Sequence, residues 1–306
     1  MLLKPPLLPA ITKALRLPER KLKSMTIAIG MLCGNGAIVA ADRRRAHEDG
    51  STTTERKIFA FDGANITFAI ADASHDANAA QTLVRKVSSR LGTAAVQGWG
   101  DVEPLIADAM TEWYAPFTQA PTTHLIISVL LKGFGVQLYF CEPPNTVLPK
   151  PEGYVAAGIG SSVADPLTHL LFGASPMQSR HPQNVLRQIA YLMYRAKKDN
   201  IWCGGSTDAV YLDSRRETWR WVNHADMKQA EEASFQLDLV LNSAASATLG
   251  YLRCYLSHRY RSATPKRNQR FRNGTWPNSE ALKPCSWTAI ANRQINFAKR
   301  WNRGHA

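Results

Sequence analysis

Apolar and polar positions come in blocks along this chain, and the first block is the most informative. Thr26–Cys33 is continuously apolar and partly β-branched, Gly34-Asn35-Gly36 is turn chemistry, and Ala37–Ala41 is apolar again before Asp42. The pattern predicts a hairpin whose outer ends, Thr26 and Asp42, lie side by side at one rim of a sheet. Arg45–Arg56 follows as a loop too polar for a core. Lys57–Asp62 and Ile66–Asp72 predict a second hairpin around Gly63-Ala64-Asn65, so the first four strands are expected to form a meander.

The period then changes. Ala79, Leu83, Val84 and Val87 share one face of a helix predicted over His75–Leu91, and Ile106, Met110 and Trp113 do the same within Val102–Phe117. Strands return at His124–Leu131 and Val136–Cys141. Pro143–Pro151 is a proline-rich connection, and Tyr154–Ala157 is a short strand leading to Gly158-Ile159-Gly160-Ser161. Helices are predicted near Ala164–Phe172, Gln183–Lys198 and Met227–Leu249, with strands at Asp208–Asp213 and Thr218–Asn223 after the Gly204-Gly205 turn. Strands arrive in hairpin pairs, which excludes the single alternation of a doubly wound fold. Several are apolar on both faces, so helices should cover both sides of the sheets. The expected class is α+β, a four-layer αββα sandwich.

Charge sharpens the domain picture. The chain has 306 residues and a formal net charge of +13. Residues 1–24 carry six Lys/Arg against one acid and residues 257–306 eleven against one, so the body between them is close to neutral. From Ser257 onward Arg, Asn, Ser and Pro dominate, and a disordered basic extension over 257–306 is expected. The five cysteines are widely spaced, without CxxC or a Cys/His cluster, which argues against zinc and suits a reducing compartment. No apolar run reaches the roughly 20 residues of a membrane span, and prolines interrupt the Leu-rich pieces of 1–24. His75, His124 and His224 have no metal-ligand spacing, and no cofactor is expected.

Thr26 through Asp42, Arg56-Lys57-Ile58-Phe59, Gly158–Ser161 and Asp199–Val210 together resemble the proteasome β-type family. These are N-terminal nucleophile hydrolases, including the bacterial two-tier heat-shock protease. The resemblance covers about Thr26 to Asn223. It implies Thr26 as nucleophile, Asp42 and Lys57 as its partners, Asp199 and Ser161 as further site residues, and the backbone N–H of Ala71 as oxyanion donor. A threonine hydroxyl needs a base, and at a mature N-terminus its own α-amino group supplies one with a reference pKa of roughly 7.7–8.0. The charge of Lys57 would lower the hydroxyl's pKa, and Asp42 would fix Lys57. Taken singly, Thr26 reads as a plain strand residue, Asp42 as a partner of Arg43–Arg45, and Lys57 as a solvated edge lysine. Their joint spacing carries the catalytic reading.

Three departures weigh on it. Ile159 stands where the pattern has serine; Cys203 stands before the glycine pair in place of serine, with Asn200 at the acid's position unless a one-residue shift brings in Asp199; and Met25 precedes Thr26 where self-processing relatives commonly have glycine. Residues 1–25 are expected to be a propeptide or a misassigned start, 26–256 the proteasome β-like domain, and 257–306 an extension. The resemblance implies a cytoplasmic threonine endopeptidase acting on unfolded polypeptides inside a homo-oligomeric ring, with an ATP-driven unfoldase as partner. A non-catalytic ring subunit is the second reading. Binding of nucleic acid or an anionic surface through the basic tail is the third.

Overall fold

The computed structural model describes residues 26–240, apart from 47–50, 75, 120 and 173–179. The expectations placed on 1–25, His75 and 257–306, and the parts beyond 240 of the expected helix Met227–Leu249 and of the expected domain 26–256, lie outside the described residues. Within them the chain is a mixed α+β fold built on antiparallel sheets.

Strands β1 (Ala28–Cys33) and β2 (Gly36–Asp42) form the expected hairpin, with Ala28 opposite Ala41 and Cys33 opposite Gly36. Three later strands complete their sheet, β10 (Tyr154–Ala157) beside β1, β11 (Thr207–Asp213) beside β2, and β12 (Thr218–Trp221) beyond β11 at the edge. The second hairpin, β5 (Ile58–Asp62) and β6 (Ile66–Asp72), belongs to a different sheet. There it continues into β7 (Leu125–Leu131), β8 (Gly135–Glu142) and β9 (Thr146–Pro149). The expected four-strand meander is therefore corrected to two hairpins in two sheets. Hydrophobic periodicity reports strands, not which sheet receives them. The segment between the hairpins carries the chain across as a small ribbon, β3 (Arg44–Ala46) paired with β4 (Thr52–Thr54).

The all-apolar strands are explained by packing on both faces. On β6 and β7 the residues Phe68, Ile70, Ile127 and Val129 meet α1 (Ala77–Thr93) and α2 (Trp99–Tyr114) through Leu83, Val87, Ile106 and Met110. Their alternate residues, Ala69, Ala71, Ile126 and Leu130, share a core with Ile29 and Met31 of the first sheet. That core extends to Val185, Ile189 and Met193 of α4 (Pro182–Asp199), which pairs with α3 (Ser161–Phe172). Asp76 starts α1 by accepting from the N–H groups of Asn78 and Ala79 at 2.9 and 3.1 Å. A fifth helical stretch occupies 224–240 and exposes Phe235, Leu237, Leu239 and Val240. No helix among the described residues is long and apolar enough to cross a membrane.

One glycine sets how closely the sheets approach. A Cβ on Gly30 of β1 would lie 2.8 Å from both Ile126 and Leu138 of the facing sheet. Gly30→Val is therefore expected to destabilise the fold by about 1–3 kcal/mol through overpacking, read as a lower urea midpoint with an unchanged m-value.

Candidate active site

Thr26 lies two residues before β1, and Asp42 ends β2. The N–H of Asp42 donates to the Ile27 carbonyl at 3.2 Å, which continues the hairpin ladder to the rim. Thr26 and Asp42 are thereby adjacent. Lys57 immediately precedes β5 of the other sheet, where its carbonyl accepts the Asp72 N–H at 2.8 Å. Its side chain crosses to the first sheet. All three residues are buried.

Their polar atoms are mutually satisfied. Thr26 Oγ1 donates to Asp42 Oδ1 at 2.5 Å and accepts from Lys57 Nζ. Lys57 Nζ also donates to Asp42 Oδ1 at 2.9 Å and to the carbonyl of Arg44, which accounts for its three donors. Asp42 accepts from the Ile27 N–H at 3.2 Å and, on Oδ2, from the Gly204 N–H at 2.8 Å. Burial lowers the pKa of Lys57, and the neighbouring Asp42 carboxylate acts against that shift. Lys57 is not the solvated edge lysine that its bare sequence context allows.

Two glycine turns close the site from behind. Gly158 has φ +88°, and a Cβ there would fall 2.2 Å from the Thr26 carbonyl oxygen. The Gly160 N–H donates to that same oxygen at 3.3 Å. Cys203 packs against this turn: a Cβ on Gly160 would lie 3.1 Å from its Sγ. Burial, reinforced by Asp42, pushes the Cys203 thiol up to about 12, so it serves as a neutral filler. Both turns are visible in the sequence. Their N–H donors are not, because the sequence comparison directs attention to side chains.

The remaining expected site residues make other contacts. Asp199 ends α4 and accepts from Arg195 at 2.9 and 3.2 Å, one helical turn away, while Gly204 supplies the backbone contact to Asp42. Ser161 opens α3 with its N–H on the Gly158 carbonyl at 3.1 Å, and no hydrogen bond among the described residues joins it to Thr26. Ala71 lies inside the β6–β7 ladder opposite Ile126. The Ala73 N–H, two residues on, donates to His124 of the neighbouring segment at 2.9 Å. Antiparallel alternation turns the Ala71 N–H the same way, so the ladder takes up this intended oxyanion donor. No cluster of three metal-ligating side chains occurs among the described residues.

Sequence reasoning also missed Arg45. Its sequence context places it in a polar loop, yet only 2% of it is exposed, and its guanidinium pairs with the equally buried Asp72 at 2.6 Å. The available signal was a basic residue just after the first hairpin matched by an acid closing the second.

Solved structures similar to this chain include Anbu (ancestral beta-subunit) from Yersinia bercovieri, with a TM-score of 0.60 at 16% identity over 72% of this chain and 97% of that one. Anbu from Hyphomicrobium sp. strain MC1 gives 0.60 at 15% identity over 72% and 97%. The helical assembly of the Anbu complex from Pseudomonas aeruginosa gives 0.58 at 15% over 71% and 96%. No family model and no curated protein matches the chain. The neighbours overturn the expectation of a proteasome β-type subunit or two-tier heat-shock protease: they are Anbu proteins, a distinct proteasome-related family. At this identity the likeness is one of fold.

The buried pair generates a stability test. Lys57→Met leaves Asp42 without its cation and should cost about 3–5 kcal/mol, whereas Lys57→Met/Asp42→Asn should recover most of the loss in denaturant titrations.

Proposed function

We propose that this chain is a threonine-type endopeptidase in which Thr26, as the first residue of the working protein, hydrolyses peptide bonds of unfolded polypeptides. The observation that carries the reading is the placement of Thr26 Oγ1 between Lys57 Nζ and Asp42 Oδ1, in hydrogen-bond contact with both. We read the packing of helices on the outer faces of two sheets as the four-layer αββα order of an N-terminal nucleophile hydrolase. The Anbu neighbours support that fold.

The chemistry follows from the geometry. A free α-amine on Thr26 takes the hydroxyl proton as Oγ1 attacks the substrate carbonyl carbon. Protonated Lys57 stabilises the developing alkoxide, and Asp42 keeps Lys57 in place. Collapse of the tetrahedral intermediate breaks the C–N bond, and the amine's proton leaves with the departing amine. Water then hydrolyses the ester, returning the hydroxyl. Backbone donors other than Ala71 have to serve the oxyanion. With Met25 attached, the Thr26 nitrogen is an amide and this route is closed, so the reading requires cleavage between Met25 and Thr26.

Residues 26–256 form the catalytic body in this reading, and 257–306 an appended basic extension. The helical Anbu assembly supports self-association. An ATP-driven unfoldase and a cytoplasmic location accompany the proposal. A non-catalytic subunit of the same fold is the second reading, favoured by Ile159, by Cys203 and by Asp199 being held by Arg195.

Protein beginning at Thr26 should cleave fluorogenic peptides, and Thr26→Ala should lower kcat by a factor on the order of 10³ or more with assembly retained. Equal rates in the two proteins discard Thr26 as nucleophile. Absence of turnover and of labelling by a threonine-directed electrophile favours the second reading. N-terminal sequencing of the natural protein should return Thr26.

Activity should also follow a bell in pH. It should rise as the α-amine loses its proton, near or below roughly 7.7–8.0, and fall as Lys57 loses its own. Since the Lys57 pKa is lowered, the alkaline limb should come below the ordinary lysine value of about 10.4.

A further inference from the structure

Arg45 is among the largest side chains enclosed by the fold. One terminal nitrogen donates to Asp72 Oδ2 at 2.6 Å, the other to the Ser74 carbonyl at 2.6 Å, and Nε lies 3.1 Å from Glu55 Oε1. Asp72 is held in turn, its Oδ1 accepting the Ser74 N–H at 2.7 Å. The guanidinium thus gathers β3, the end of β6, the turn after it and the segment entering β5. Fork geometry suits arginine to this and lysine much less.

Two main-chain links join this clamp to Lys57. The residue before Arg45 supplies the carbonyl that accepts from Lys57 Nζ, and the Asp72 N–H donates to the Lys57 carbonyl at 2.8 Å. A buried ion pair is weak evidence of stabilisation, because desolvation offsets much of its attraction. Its position directly behind Lys57 points to a different use.

We propose that Arg45 is a positioning residue for Lys57: its clamp on Asp72, Ser74 and Glu55 fixes the Arg44 carbonyl against the lysine, and its charge, opposed by Asp72, sets the field at the Thr26–Asp42–Lys57 cluster. The charged groups acting on Lys57 come from three elements, Asp42 on β2, Arg45 on β3 and Asp72 on β6. Arg45 disfavours the lysine proton and the two carboxylates favour it. The catalytic consequence rests on the reading of Thr26 as nucleophile. The effect on Lys57 does not.

The test uses the full chain labelled with 13Cε-lysine, with the Lys57 signal assigned by its loss in Lys57→Met. Arg45→Gln should move the Lys57 titration up by about one pH unit and Asp72→Asn should move it down by about as much. Arg45→Gln/Asp72→Asn, which leaves no buried unpaired charge, should titrate within a few tenths of the parent. In protein beginning at Thr26, the alkaline limb of kcat should follow each single shift. The double variant should lose about tenfold in kcat with KM unchanged. Folded single variants whose Lys57 signals stay put, or move in the same direction, overturn the proposal. So does a double variant with parental kcat. If the opposite shifts are seen while the parent lacks Thr26-dependent hydrolysis, the peptidase reading falls and the role of Arg45 stands.

Discussion

The ion pair between Asp42 and Lys57 is the constraint on which the surrounding structure depends. Each charge comes from a different sheet, and both are withdrawn from water. Such a pair survives only if every remaining lone pair and proton finds a partner. That requirement explains features that are otherwise unrelated. The Ile27 and Gly204 N–H groups point at one carboxylate, and the Arg44 carbonyl faces the ammonium. Thr26 is the one side-chain hydroxyl among the described residues admitted to this set, both donating and accepting. Its reactivity, on the reading proposed here, comes from completing a pair that would otherwise be under-satisfied.

Much of this was legible in the sequence, for identifiable reasons. The run from Thr26 to Asp42 announced a hairpin because its turn residues and apolar lengths leave few alternatives. With the hairpin comes the rim adjacency of Thr26 and Asp42. Lys57 was legible because a second hairpin begins beside it. Assignment of strands to sheets was not legible, since β2 and β6 have the same apolar character although they lie in separate sheets. The partner of Asp199 was not legible, because a family spacing says nothing about Arg195 one turn earlier, which pairs with the carboxylate. The direction of the Ala71 N–H was not legible either, since a retained N–H says nothing about where the ladder turns it. Arg45 went unseen because polarity was equated with exposure, an inference that fails when a charge has its partner inside.

The Anbu neighbours share the course of the chain at 15–16% identity, so packing preserves the architecture while most side chains differ. Against that background the departures form a group. Ile159 packs on the core, and Cys203 is a neutral thiol beside Gly160. Both bring apolar or uncharged surface close to the cluster. Backbone N–H groups of Gly160 and Gly204 supply polar contacts in the same neighbourhood, and glycine supplies them without a side chain to specify.

The hairpin register has a consequence for how this gene can change. Strands β1 and β2 are paired residue for residue from Ala28–Ala41 to Cys33–Gly36, so the two-residue turn Gly34-Asn35 works as a ruler that sets Thr26 against Asp42. Adding or removing one residue within either strand would carry the acid to the opposite face of the sheet. Length variation among descendants of this chain should therefore accumulate beyond Asp42, in the ribbon region, and be purged between Thr26 and Asp42. The constraint acts on length more strictly than on composition, which allows distant relatives to keep this hairpin after most of its letters have changed.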